Sequence, residues 1–174
     1  MIRVVFLRAV FATLAMLVIL AASPVSAQEL PQATDVTSAD IQKFINDLPR
    51  DAVSDRPIRI VNVTGNYQVG VWGVFRPKEF LGGANLHEVD TTEIYYMVEG
   101  VATLVTGGTL TDLTPAPSGT SLRGSGIEGG VSRRITKGDV VIIPAGVAHG
   151  FSEITEPITY MVVRIDPEKL VELK

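Results

Sequence analysis

A succession of short β-rich segments separated by turn residues constrains the fold of this chain more than any other feature. From Pro57 onward, runs of β-branched and aromatic residues alternate with clusters of Gly, Pro, Asn and Asp. This spacing is typical of an all-β sandwich or barrel. The 16 glycines and 10 prolines agree with many tight turns. The strands predicted from this pattern cover residues 58–63, 68–75, 133–135, 140–143 and 158–165, with a hairpin of 93–98 and 101–106 around Glu99-Gly100.

A single amphipathic helix is predicted before the first strand. Thr37 or Ser38 can cap its start and Pro49 ends it. We expect its apolar face to pack on the β domain, because such a face needs a partner surface. The apolar positions at helical spacing are Ile41, Phe44, Ile45 and Leu48.

The segment from Gly107 to Gly130 has a biased composition. Its 24 residues include 7 glycines and 7 serines or threonines. Such segments favour irregular, flexible chain. We therefore predict a long flexible loop that acts as a lid.

The N-terminus has the layout of a secretory signal peptide. Arg3 and Arg8 precede an apolar run that ends in the small residues Val25-Ser26-Ala27. A retained membrane anchor is the alternative, but Arg8 interrupts the apolar stretch. We expect a periplasmic or secreted protein with no stable membrane anchor after cleavage. The predicted organisation is a signal peptide at 1–27, an extension with the helix at 28–56, a barrel at 57–166 and a tail at 167–174.

Composition excludes several classes of function. With 15 basic and 19 acidic residues the net charge is −4, so a nucleic-acid partner is not expected. The absence of cysteine excludes disulfides, thiolate metal sites and cysteine nucleophiles. Only two histidines are present, so imidazole chemistry must use His87 and His149.

Both histidines lie in segments with recognisable spacing. His87 is followed by Glu93 and then by Gly100, six residues farther on, and Gly82 precedes it. This resembles the first motif of the cupin family, with Val89 at the position of the second motif histidine. In the other segment Gly138, Pro144, Gly146 and His149 match the second cupin motif in register, and Glu153 replaces its final asparagine.

The resemblance implies a small double-sheet β-barrel of the jelly-roll type. Because side chains alternate across a barrel strand, His87, Glu93 and His149 should face one interior site. Two imidazoles and one carboxylate suit Fe, Mn, Ni, Cu or Zn as a divalent transition metal. Alternation also places Glu153 on the face of His149, so Glu153 or Tyr95 is expected to assist proton transfer.

Two functions follow from this site. The first is a metal-dependent enzyme of dioxygenase, lyase or isomerase type that acts on a small organic molecule. The second is a non-catalytic protein that binds a small ligand, with or without metal. A storage role suits a short single-barrel chain least. Four arginines are expected to be solvated or salt-bridged, and one of them can meet an anionic ligand: Arg76, Arg133, Arg134 and Arg164.

The strand that carries Glu93 also predicts an assembly. Its outward positions Ile94, Tyr96 and Val98 are all apolar, whereas a solvated face would alternate with polar residues. Either the helix around Phe44 or a second subunit must cover them. We expect a homodimer.

Overall fold

The structure is a computed structural model of the chain, which falls into two units, residues 1–33 and 34–174. All that follows concerns the second unit. The predicted signal peptide, its cleavage site, Gly82 and Val89 lie outside the described residues. Those described are 33–63, 67–78, 83–88, 90–116 and 119–169.

The described chain is an antiparallel β structure with one short helix, which confirms the all-β prediction. Strand β1 begins at Ser54, inside the predicted extension. The elements are α1 (Ser38–Asn46), β1 (Ser54–Val63), β2 (Tyr67–Arg76), β3 (Ala84–His87), β4 (Thr92–Thr106), β5 (Thr109–Thr111), β6 (Thr114–Pro115), β7 (Ser121–Gly124), β8 (Gly126–Glu128), β9 (Val131–Thr136), β10 (Val140–Ile143) and β11 (His149–Asp166).

Strand β11 organises the barrel because it pairs with β2, β3 and β4 along its length. The path β1-β2-β11-β3-β7-β6 forms one wall, and β4 continues it to β9 and β10. A separate ribbon joins β5 to β8. The interior is filled by apolar side chains from both walls, including Trp72, Met97, Leu104, Ile158 and Tyr160.

The predicted hairpin at Glu99-Gly100 is wrong. Both halves belong to the single long strand β4, which pairs with β11 on each side of this point. Gly100 has a φ of 84°, and an added Cβ would lie 2.0 Å from the carbonyl oxygen of Pro157. Glycine therefore allows a positive φ and a close approach to Pro157 within a continuous strand, where the sequence spacing suggested a chain reversal.

The predicted flexible loop at 107–130 is also wrong, because the segment contains β5, β6, β7 and β8. Its few apolar side chains form a small cluster beside the main core. Leu110 is buried there with Ala84 and Ala148, and Leu122 and Ile127 pack against them. Composition concealed this structure, since Gly, Ser and Thr dominate the segment.

Helix α1 packs on the outer face of β2, as predicted. A capping box joins Thr37 and Asp40 at its start. A Cβ added to Gly73 would lie 2.9 Å from the ring of Phe44 and 3.6 Å from Leu48, so glycine allows this close approach. Within the described residues, no helix is long and apolar enough to cross a membrane.

Candidate metal centre

Three strands bring His87, Glu93 and His149 together inside the barrel. Their ligand atoms all lie within 4.8 Å of one another. The Nε2 atom of His87 is 3.4 Å from Oε1 of Glu93, and the Nε2 atom of His149 is 3.3 Å from Oε2. Glu93 is 1% exposed and His149 is 3% exposed, so water has little access to either.

A tight turn presents His149 to the site. Gly146 has a φ of 72°, and the amide of Val147 donates to the carbonyl of Pro144 at 3.2 Å. The Nδ1 atom of His149 lies 3.0 Å from the carbonyl oxygen of Val147. A carbonyl only accepts, so Nδ1 carries a proton and Nε2 is the ring atom that faces Glu93. With a proton, Nε2 donates to the carboxylate; without one, it can bind a metal ion together with Glu93.

His87 completes the site from the short strand β3. Its Nδ1 lies 2.9 Å from Oγ of Ser121, its cross-strand partner on β7. Such a partner fixes the orientation of a ligating imidazole. The side chain is 20% exposed, so the site opens to solvent on this side.

Glu93 is held by neutral and charged donors. Arg164 Nε donates to Oε1 at 2.7 Å, and the hydroxyl of Tyr95 donates to Oε2 at 3.0 Å. Burial raises the pKa of Glu93, but hydrogen bonds with His149 and His87 and the charge of Arg164 outweigh it, so the pKa lies well below its ordinary value. Glu93 is therefore a carboxylate, the form that binds metal.

Arg164, which the sequence placed only among four arginines expected to be solvated or salt-bridged, lies at the site and forms salt bridges there. It lies directly opposite Glu93 in the β4–β11 pairing. Its terminal nitrogens bind both oxygens of Asp55, at 2.7 and 3.3 Å, and its guanidinium lies 4.6 Å from the ring centre of Trp72. Burial lowers its pKa, but the charges of Glu93 and Asp55 raise it above its usual value. Only the strand register, which spacing alone does not give, could have identified it.

Tyr95, the second predicted proton-transfer residue, lies at the site. Its ring is 5% exposed and 4.9 Å from the ring of Tyr160. Burial and the negative charge of Glu93 raise its pKa well above the ordinary value. The hydroxyl therefore keeps its proton near neutral pH and donates it to Glu93.

Glu153 does not reach the site, contrary to the expected alternation. Phe151 pairs with Leu104 and Glu153 with Thr103, so Ser152 is an extra residue that forms a β-bulge. The bulge turns Ile154 inward and leaves Glu153 exposed. Its carboxylate accepts a bond from Thr103 at 3.4 Å.

A small cavity of about 170 Å³ opens over the three candidate ligands. Aromatic and polar side chains share its walls. Besides the three ligands they are Asp55, Trp72, Arg76, Asn85, Tyr95, Ala116, Thr120, Ser121, Arg123, Tyr160 and Arg164.

Comparison with known proteins gives structural similarity alone. No family model and no curated protein matches the chain in sequence. The solved structure of BH2720 from Bacillus halodurans is 12% identical over 78% of this chain and 83% of its own, with a TM-score of 0.51.

Two further solved structures have lower TM-scores. A Klebsiella pneumoniae protein with a double-stranded β-helix domain is 14% identical over 79% of this chain and 94% of its own, with a TM-score of 0.48. The DMSP lyase DddQ from Ruegeria pomeroyi is 19% identical over 66% of this chain, with a TM-score of 0.44, and this chain spans 47% of its length. The similarity to BH2720 and the strand order described above show that the fold of this chain is the antiparallel double-sheet β-barrel expected from the sequence.

Proposed function

We propose that the chain is a metal-dependent enzyme that acts on a small organic molecule at the barrel mouth. His87, Glu93 and His149 hold one divalent transition metal ion, drawn from Fe, Mn, Ni, Cu and Zn. The single observation that carries this proposal is the convergence of the three side chains inside the barrel, with their ligand atoms within 4.8 Å of one another. A divalent cation held by these residues would have two imidazoles and one carboxylate as ligands, a set that suits a transition metal.

The surrounding residues prepare the site for chemistry. A metal bound here would act as a Lewis acid that polarises an oxygen atom of the substrate. Val147 orients the imidazole of His149 and Ser121 orients that of His87. Arg164 fixes the orientation of the Glu93 carboxylate. Tyr95 keeps a proton on its phenolic oxygen beside the cavity and is the candidate proton donor to substrate.

A non-catalytic small-ligand-binding barrel is the second candidate, and one observation favours it. Glu93 already accepts bonds from Arg164 and Tyr95, and protonated His149 would add another. The buried carboxylate is thus satisfied without a metal, so the barrel can keep its shape as a simple ligand-binding pocket.

Turnover separates the two candidates. Protein freed of metal and reloaded with Fe(II) or Mn(II) is incubated with pools of small organic compounds and followed by proton NMR. We expect at least one compound to be consumed by the loaded protein and by neither the metal-free protein nor Glu93→Gln. Glu153→Gln, which changes an exposed carboxylate outside the cavity, is the matched control and should retain turnover. A compound that binds the loaded protein but is never consumed would instead support the binding protein.

We also propose that the chain is exported to the periplasm or secreted. The support is the sequence of residues 1–27, with its basic start, apolar middle and small residues before Gln28. The site would then act on small molecules outside the cytoplasm.

A further inference from the structure

We infer that the cavity selects a small carboxylate anion as its ligand. This inference rests on the proposed function, since it names the class of substrate for the same site. The charged side chains that line the cavity indicate the charge of the ligand. Asp55 and Glu93 are acidic, and Arg76, Arg123 and Arg164 are basic.

Both acidic groups form salt bridges with one arginine. Arg164 binds Glu93 at 2.7 Å through Nε and Asp55 at 2.7 Å through a terminal nitrogen. Two carboxylates therefore face one guanidinium, and Arg76 and Arg123 bring the lining to three positive and two negative charges. A divalent metal would raise this excess further. A concave site with a net positive charge attracts anions, so the cavity favours an anion although the whole chain is acidic.

Arg76 is fixed in the wall of the cavity. Its Nε donates to the hydroxyl of Tyr160 at 3.0 Å, and its guanidinium lies 5.2 Å from the ring centre of Phe151. Arg76 therefore contributes a fixed positive charge on a planar group to the wall that an anion meets.

Arg123 lies at the open side of the cavity. It pairs with Asn85 across β3 and β7, two positions from the pairing of His87 with Ser121, and its side chain is exposed. It makes no side-chain hydrogen bond or ion pair with any residue that the structure describes. An incoming carboxylate can therefore pair with Arg123 without breaking a native ion pair.

The cavity volume limits the size of the anion. About 170 Å³ is below the range of roughly 300–1,000 Å³ in which drug-sized ligands bind. A compact organic acid fits this space, with one end at the metal centre and a carboxylate at the arginines.

Titration calorimetry at low ionic strength tests the inference, with malonate as the probe and neutral malonamide as its uncharged counterpart. We expect malonate to bind both metal-free and Mn(II)-loaded protein and malonamide to bind neither. Arg123→Gln should weaken malonate binding about tenfold, the loss expected for one charge-assisted hydrogen bond. Arg134→Gln removes the same charge from an exposed position outside the cavity and should leave the affinity unchanged.

The Arg76→Lys variant and phosphate, a second anion, extend the binding test. Arg76→Lys retains the charge but removes the planar fork, so it too should weaken malonate binding. Equal losses in Arg123→Gln and Arg134→Gln, or binding of malonamide as tight as that of malonate, would overturn the inference. Tighter binding of phosphate than of malonate would replace the carboxylate with an inorganic oxyanion and would also overturn it.

Failure of the carboxylate inference can be distinguished from failure of the proposed metal-dependent function. If none of Fe(II), Mn(II), Ni(II), Cu(II) and Zn(II) binds but malonate binds in an Arg123-dependent manner, the enzyme proposal fails and the carboxylate inference stands. If Mn(II) binds and malonate does not, the inference fails and the metal site stands.

Discussion

At the scale of the residue, Arg164 joins the candidate metal centre to the barrel wall. It is the partly buried cation between Glu93 and Asp55, and its guanidinium lies over the ring of Trp72. Breaking a buried ion pair by removing one partner is costly, because an uncompensated charge stays behind in a site of low dielectric. The position of Glu93 therefore depends on a residue that does not itself bind metal.

This dependence predicts a large effect of Arg164→Met. Glu93 would keep its burial but lose its charged partner, so we expect the free energy of unfolding to fall by about 3–5 kcal/mol. Denaturant titration of the metal-free protein measures it. Arg134→Met is the control, because Arg134 is an exposed residue of β9. We expect it to change the free energy of unfolding by about 0.5 kcal/mol or less. Similar losses in the two variants would mean that Arg164 is not a structural support of Glu93.

At the scale of the element, strand alternation accounts for the convergence of His87, Glu93 and His149, and the bulge at Ser152 accounts for the exclusion of Glu153. Motif spacing predicted the convergence because each motif spans one turn and one strand. It missed the bulge because one extra residue reverses the alternation of side chains without changing the composition.

The same limit explains Arg164. It lies 71 residues from Glu93, and only the register of β4 against β11 places the two side by side. The β5–β8 ribbon was missed for a different reason, since its stability comes from a few apolar contacts with Ala84 and Ala148 that local composition does not reveal. The all-β fold was predictable because turn residues and β-rich runs recur along the whole barrel.

Strand β2 supports the site through a glycine. A Cβ added to Gly70 would lie 2.3 Å from the ring of Trp72, which in turn lies beneath Arg164. We expect Gly70→Ala to displace this ring and lower stability by about 1–3 kcal/mol. Trp72 is the only tryptophan, so its fluorescence reports the displacement directly.

Gly126→Ala is the matched control for that experiment. A Cβ added there would lie 3.5 Å from Oγ1 of Thr111, an ordinary van der Waals contact. We expect little change in the emission of Trp72 in this variant. An unchanged spectrum and stability in Gly70→Ala as well would show that the ring has room to move.

At the scale of the whole molecule, the outer face of β4 and β10 bears on assembly. Tyr96, Val140 and Ile142 are 43%, 58% and 65% exposed, and helix α1 packs instead on β2. Val140 pairs with Tyr96 and Ile142 with Ile94, so the four side chains form one apolar patch. The sequence offered either helix α1 or a second subunit as the partner of this face. Because α1 packs on β2, a second subunit remains the predicted partner of the patch.

We therefore predict a homodimer in which this patch is buried. Sedimentation at micromolar concentration should give a dimer for the native chain and a monomer for Ile142→Lys, because a buried lysine at the interface is unfavourable. Lys137→Ala, in the turn before β10, is a surface control that should remain dimeric. A native chain that sediments only as a monomer would contradict the prediction.

Processing is the second prediction at this scale. The intact mass of exported protein should correspond to a chain that begins at Gln28, since the small residues before it are typical of a signal-peptidase site. A mature chain that still begins at Met1 or Ile2 would contradict export by cleavage.

The central claim is that His87, Glu93 and His149 form a metal site, and elemental analysis of protein purified from its native compartment tests it most directly. We predict about one transition-metal ion per chain, its loss in His149→Ala, and its retention in Glu153→Gln. Circular dichroism of each variant shows whether the barrel is intact. Native protein without stoichiometric metal, or folded His149→Ala with unchanged metal content, would contradict the claim.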